Sequence, residues 1–508
     1  MYVAGGQEAR SDASKKARFC RLLRDLKTML KKMTATIGQP ILMVLVVSGG
    51  CLPVTPVYAD GITPADYPDA ALINAGRELF FKETFNGNGR TCGTCHPEDN
   101  NFTIDPEFIA TLPADDPLFV AERPEPNPLS ENFEKPELMR KLGLILENTN
   151  GFDDLETNFT LRSVPHMLAM RTSLTPPTAA ANDGTTVPPV ERTGWSGDGS
   201  PTDSSISPEL RGTLRDFTVG AIRQHFPKTL NREAGVDFRL PTQYELDALE
   251  AFMLSLGRQQ AFDDLTEISL TNEKADRGRL NYMGQGMANG ISCNACHFNG
   301  GANTDPDFVF PPEVTPPAFE QTNRSFAPRV EELLDQPGDV LAGGEMPFDD
   351  GFGTGTHLFN VPPVIEAADT GPYFHANQID TVEGLVAFYT SQRHLRDGEV
   401  LGPIVGLNGA QLANVGAFLR VLNADENARS AIDLIERAQQ LYKRHYQRIN
   451  MNLAKSEIED AIEVLQGGKL HFTDAVPLFR EAMKLVKADR KQRAIDRLNA
   501  ARDVMIER

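Results

Sequence analysis

The pentapeptide Cys-x-x-Cys-His occurs twice, as Cys92-Gly93-Thr94-Cys95-His96 and as Cys293-Asn294-Ala295-Cys296-His297. Two thiols three positions apart share one side of a single helical turn, and the imidazole that follows is carried beside them. The chain has six cysteines. The other two, Cys20 and Cys51, lie in the leader described below, so the motif cysteines leave none for a structural disulfide. Zinc would need ligands converging from two motifs far apart in the chain. A redox dithiol has no use for the trailing His. Covalent haem attachment uses every member: each thiol adds to a haem vinyl group, and the His becomes the proximal iron ligand. The expectation is two covalently bound haem c groups, one at Cys92, Cys95 and His96, the other at Cys293, Cys296 and His297.

Residues 1–59 read as a signal peptide. A basic stretch over 10–32 precedes the apolar run Ile41–Val47, and Val57-Tyr58-Ala59 offers a small-residue cleavage site before Asp60. The apolar run is too short to span a membrane. Start sites at Met29 or Met33 would give the basic region a usual length. Cys51, after Val47-Ser48-Gly49-Gly50, is an alternative lipid acceptor, although Ser48 stands where such motifs carry a larger aliphatic residue. The expected compartment is the periplasm, or the medium if the protein is secreted. Beyond residue 59 the chain carries 41 basic and 67 acidic side chains. That balance argues against nucleic acid or an anionic membrane as partner and suits a basic or weakly charged protein.

The remainder reads as a duplication. A short helix precedes each motif, at Ala75–Phe81 and Arg277–Leu280, and a helix with apolar residues at helical spacing closes each unit, at Tyr244–Met253 and Gln411–Leu419. Between them Thr160-Leu161-Arg162-Ser163-Val164-Pro165 is echoed by His357-Leu358-Phe359-Asn360-Val361-Pro362. Thr193-Gly194-Trp195 is echoed by Thr370-Gly371-Pro372-Tyr373-Phe374. Matched order and spacing indicate a repeat. The expected fold is mainly α: a haem domain over 60–262, a second over 263–425, and a helical extension over 426–508 that is charged and nearly free of Gly and Pro. Proline-rich stretches at 113–136 and 176–189 read as loops that lengthen the first unit.

Over roughly residues 70–425 these features resemble the bacterial dihaem cytochrome c peroxidase family, including its MauG-like branch. The resemblance rests on the two motifs, on Leu358–Pro362 and above all on Thr370-Gly371-Pro372-Tyr373-Phe374-His375. It implies two cytochrome c-like domains, one haem that reacts with hydrogen peroxide, and one that stores or relays electrons. It places the second haem's sixth ligand at Tyr389, where ordinary members have Met and the MauG-like branch has Tyr. A phenolate favours ferric and higher-valent iron. Met346 is the alternative ligand. Trp195, the single Trp, resembles the residue that carries electrons between the haems. The resemblance also implies calcium held by the carbonyls of Thr370 and Pro372, with Ser163 where the family has Asn; calcium favours oxygen ligands.

The departure is above the first iron. Cleaving an O–O bond requires a group that moves a proton between the two oxygens. The family's Gln and Glu positions are occupied here by Ser205 and Arg215. Glu209, Gln224, His225 and His166 are the replacements at hand, and His225 is also a candidate sixth ligand that would close that iron. The implied function is a peroxide-dependent oxidoreductase with Trp195, His225 and Glu209 as catalytic residues. Its electrons would come from a small cytochrome c, a cupredoxin or an oxidisable substrate. Two alternatives stay open: a dioxygen-using enzyme similar to the dihaem rubber oxygenases, and a non-enzymatic electron-transfer cytochrome.

Overall fold

The computed structural model describes residues 70–124, 126–148, 151–157, 159–173, 194–195, 214–287, 291–302, 305, 325–326, 330, 359–391, 406–467 and 475–507. The expected signal peptide, Ser205, Glu209, Met346 and the 176–189 stretch lie outside them. The described residues all fall within one compact unit. The described structure is mostly helical.

The first half begins with α1 (Ala70–Lys82), followed by the motif turn α2 (Cys92–Cys95), α3 (Pro106–Thr111) and α4 (Pro136–Leu142). Within the stretch expected as loop, Pro117–Glu122 and Ser130–Asn132 form 3-10 turns. Strands β1 (Leu144–Glu147) and β2 (Thr160–Ser163) pair antiparallel, with Ile145 opposite Arg162 and Glu147 opposite Thr160. Then come α5 (Leu214–His225) and α6 (Gln243–Met253). The second half has β3 (Ser269–Leu270), α7 (Glu273–Tyr282), the motif turn α8 (Cys293–Cys296), β4 (Ser325–Phe326) paired with β5 (Phe359–Asn360), and α9 (Val382–Phe388). The chain ends with α10 (Gly409–Gln440), α11 (Arg444–Gly467), α12 (Ala475–Lys487), α13 (Lys491–Asp503) and β6 (Ile506–Glu507), which pairs with β3.

The two halves repeat one helix crossing. A Cβ on Gly76 of α1 would lie 1.8 Å from the Ala248 carbonyl oxygen of α6, and one on Gly278 of α7 would lie 1.9 Å from that of Asn414 of α10. Only glycine lets the two backbones approach so closely. Four residues beyond each contact an aromatic pair seals the crossing. Phe80 meets Phe252 and Tyr282 meets Phe418, each with ring centres 5.2 Å apart. Both closing helices start in a capping box, Thr242 with Glu245 and Asn408 with Gln411. Each box satisfies backbone N–H groups that the first turn leaves without partners.

Helix α10 runs unbroken for 32 residues, so the boundary expected at 425 falls inside it. The core has no seam there either. Val361, Tyr282, Phe418 and the buried residues of α11 to β6 form one apolar cluster, against which Cys293, Cys296 and Tyr389 pack. The first half is divided into smaller clusters, with Cys92 packed on one and Cys95 on another. It also buries an ion pair, Arg90 with Glu134, at 1% and 0% side-chain exposure. Glu134 also accepts the Leu146 N–H at 2.6 Å.

Candidate functional site

Both Cys-x-x-Cys-His motifs open onto one cavity of about 360 Å³. Each motif forms a single helical turn that ends where the His N–H donates to the first Cys carbonyl, His96 to Cys92 at 3.0 Å and His297 to Cys293 at 2.9 Å. His96 Nδ1 lies 2.8 Å from the Phe102 carbonyl oxygen, and His297 Nδ1 lies 2.8 Å from that of Pro362. A carbonyl only accepts, so Nδ1 carries the proton in each ring and Nε2 keeps its lone pair for a metal. Burial lowers both imidazoles to about 4, which keeps them neutral as a ligand must be.

The four thiols are free. Burial pushes Cys92 up to about 12, Cys95 to about 11 and Cys293 to about 12. Buried thiols held protonated do not suit a redox dithiol, which depends on thiolate. Among the described residues, no three of His, Cys, Asp and Glu converge as a metal-binding group. The donor set, two thiols and one Nε2 lone pair at each motif beside a largely apolar cavity, fits haem c.

Helix α5 roofs the first site. Leu214, Phe217, Thr218, Ala221, Ile222 and His225 line the cavity, a stripe at helical spacing. Arg215 and Gln224 lie off it. Arg215 pairs on the surface with Asp247 and Glu250. Gln224 accepts from the Asn148 N–H and donates to Asn148 Oδ1, so it fastens α5 to the end of β1 instead of facing the cavity. His225 is held neutral by burial, then by the nearby Arg90 and Arg232 charges. His166 also lines the cavity; burial lowers it to about 4, and its Nδ1 has no hydrogen-bond partner.

At the second site Tyr389, the residue after α9, lines the cavity. Burial raises its phenol, the Cys296 and Cys293 sulfurs add to the effect, and Tyr389 packs on the same apolar cluster as both cysteines. Helices α5 and α9 each precede and pack against the closing helix of their half. His225 and Tyr389 therefore hold matching stations. Tyr282 Oη donates to the His297 carbonyl at 2.5 Å; its counterpart Phe80 has no such bond to offer.

Trp195 joins the halves. Its indole N–H donates to the Ser163 carbonyl at 2.8 Å, and its own carbonyl accepts the Asn360 N–H at 2.7 Å. Ser163 donates its hydroxyl to the Phe374 carbonyl and its N–H to that of His375. Ser163 is thus tied to the Phe374–His375 turn that follows Thr370 and Pro372, where the calcium is expected. Three further features of the cavity were not anticipated from sequence: Tyr282, the stack of Phe359 on His375 at 4.1 Å, and Glu147, which pairs with the buried Arg162 across the ribbon.

No family model and no curated protein matches the chain. Among solved structures, one described as a MauG-like protein associated with microbial copper homeostasis is 16% identical, with a TM-score of 0.35 over 73% of this chain and 94% of that one. So slight a likeness fixes neither fold nor function.

Proposed function

We propose that the protein is an exported dihaem c-type cytochrome that acts as a peroxide-dependent oxidoreductase. Cys92, Cys95 and His96 hold one haem, and Cys293, Cys296 and His297 the other. One observation carries the reading: both motifs line a single cavity, with Trp195 hydrogen-bonded to each half between them. Bound haem would supply the redox chemistry and the site of peroxide binding. The chain's own residues do the rest. Phe102 and Pro362 orient the two imidazoles through their carbonyls, and Tyr389, which lines the cavity on the second motif's side, would be the further residue to hold that haem. His225 or His166, both neutral, can accept a proton from peroxide at the first site. Trp195, whose N–H is already bonded, offers an oxidisable ring between the halves.

One observation favours a second reading. His225 holds the station that Tyr389 holds in the other half, and as a sixth ligand it would close the first iron and leave an electron-transfer cytochrome. Electron paramagnetic resonance of the resting holoprotein separates the two. A high-spin ferric signal that peroxide abolishes supports the oxidoreductase. Two low-spin signals that peroxide leaves unchanged support the cytochrome and overturn the enzyme.

A further inference from the structure

Residues 426–508 carry 16 basic and 13 acidic side chains, whereas the rest of the chain carries 34 and 57. The excess of positive charge gathers at one end of the helices. Arg420 of α10 donates to the Val464 carbonyl of α11, and Asn427 reaches Glu457, so these helices run antiparallel and the start of α11 lies level with the end of α10. The seven residues 468–474 are too few to run back along a 24-residue helix, so α12 starts at the far end of α11 and returns along it. Helix α13 reverses again, with Arg497 on Glu481, and Arg502 meets Asp425 of α10. The turns at 441–443 and 488–490 therefore share one end.

That end is basic and aromatic. Lys443, Arg444 and Arg448 surround the first turn, and Lys487, Arg490 and Arg493 the second. All six are exposed, and no described carboxylate pairs with any of them. Tyr442 is fully exposed at 101%, and Tyr446 is exposed too, with the Lys443 ammonium 5.8 Å from its ring centre. The net charge of the whole chain points away from anionic surfaces, but the local distribution reverses that at this end.

We infer that the 441–448 and 487–493 turns dock the protein on an anionic lipid surface. Tyrosine rings and snorkelling Lys and Arg side chains suit the headgroup region, and a bilayer accepts a projecting turn where a protein partner needs a matching hollow. The strongly acidic remainder of the chain would be repelled, so the basic end alone would face the lipid.

The test is co-sedimentation of the holoprotein without its leader, from Asp60 onward, with vesicles of phosphatidylcholine, with or without phosphatidylglycerol. Binding is expected only with phosphatidylglycerol, and raised salt should release it. Lys443→Glu, Arg444→Glu and Arg448→Glu together should weaken binding roughly a hundredfold, with unchanged thermal unfolding and haem spectrum. Tyr442→Ser with Tyr446→Ser should weaken it less. Equal binding to neutral vesicles, no binding to anionic ones, or full binding by the charge-reversed variant overturns the inference. So does equal binding to polyglutamate with no effect of the tyrosine changes, which would mark an acidic protein as the occupant.

Discussion

The two halves share one helix crossing, yet they support their motifs differently. In the second half the motif cysteines and Tyr389 pack on a single apolar core that continues into α11 to β6. In the first half Cys92 and Cys95 pack on separate clusters, and the motif is approached through Arg90, whose charge is buried against Glu134. Polar burial is not confined to the first half, since Glu366, Asp425 and Glu426 are buried in the second, but among the described residues only the first brings two imidazoles besides the motif His, His166 and His225, to the cavity. The comparison teaches that one helix crossing can be kept while the groups brought to the cavity differ: His166 and His225 in the first half, Tyr389 and His375 in the second.

The largest expected effect comes from removing one attachment at a time. Cys92→Ser with Cys95→Ser, and Cys293→Ser with Cys296→Ser, should each lower the pyridine haemochrome yield to about half. The second pair should cost more stability, because Cys293 and Cys296 pack on the core shared with α11 to β6. Equal loss of thermal stability from the two would contradict the shared-core account.

Next comes the buried ion pair. Glu134→Ala strips the partner from a guanidinium with 1% exposure and leaves the Leu146 N–H without its acceptor. Breaking such a pair costs about 3–5 kcal/mol. Urea unfolding should show the loss, with the second motif still able to attach haem. A change under about 1 kcal/mol would mean that Arg90 finds water or another partner.

Much of this was legible in the sequence, and the misses have physical causes. The motifs, the paired helices and the Trp195 turn are local patterns that survive in one dimension. The stripe on α5 was legible too: Leu214, Phe217, Thr218, Ala221, Ile222 and His225 share a helical face, which selects His225 and excludes Gln224 and Arg215. The boundary at 425 could not be read in that way, because the end of one haem unit and the start of the extension have the same helical periodicity. Glu147 reaches the site through strand pairing between segments separated by a loop, and no short-range pattern announces it. Ser163 stands where the family has Asn, and only the structure shows it bonded to Trp195, Phe374 and His375.

Acid should separate the halves further. Ordinary imidazoles protonate near 6.5, whereas His96, His166 and His297 are lowered by burial to about 4 in the folded chain. Between those values the unfolded chain binds more protons, so stability rises with pH in that window. Haem-free protein should be fully stable above 6.5 and lose stability as pH falls through 4, by on the order of 3 kcal/mol per imidazole. His166→Gln should flatten part of that slope, since His166 has no counterpart imidazole at the matching position, Pro363, in the second half. A pH profile unchanged by His166→Gln would show that the ring is already protonated or solvated in the native state.

The smallest effect tests the matched aromatic stations. Tyr282→Phe removes a hydroxyl that donates to the His297 carbonyl, and it makes the second half resemble the first, where Phe80 stands. The carbonyl keeps its bond from the Gly300 N–H at 3.0 Å, so no buried acceptor is orphaned. The cost should be about 1 kcal/mol, as for a single hydrogen bond. A loss of several kcal/mol would mean that the hydroxyl supports more than the motif turn. The informative readout is the reduction potential of each haem. If Tyr282 fixes the height of His297 through its backbone, the second potential should shift and the first stay put. Phe80→Tyr should perturb only the first. A shift at both haems from either change would mean that the two sites respond through Trp195 as one unit, and that their difference is not set locally.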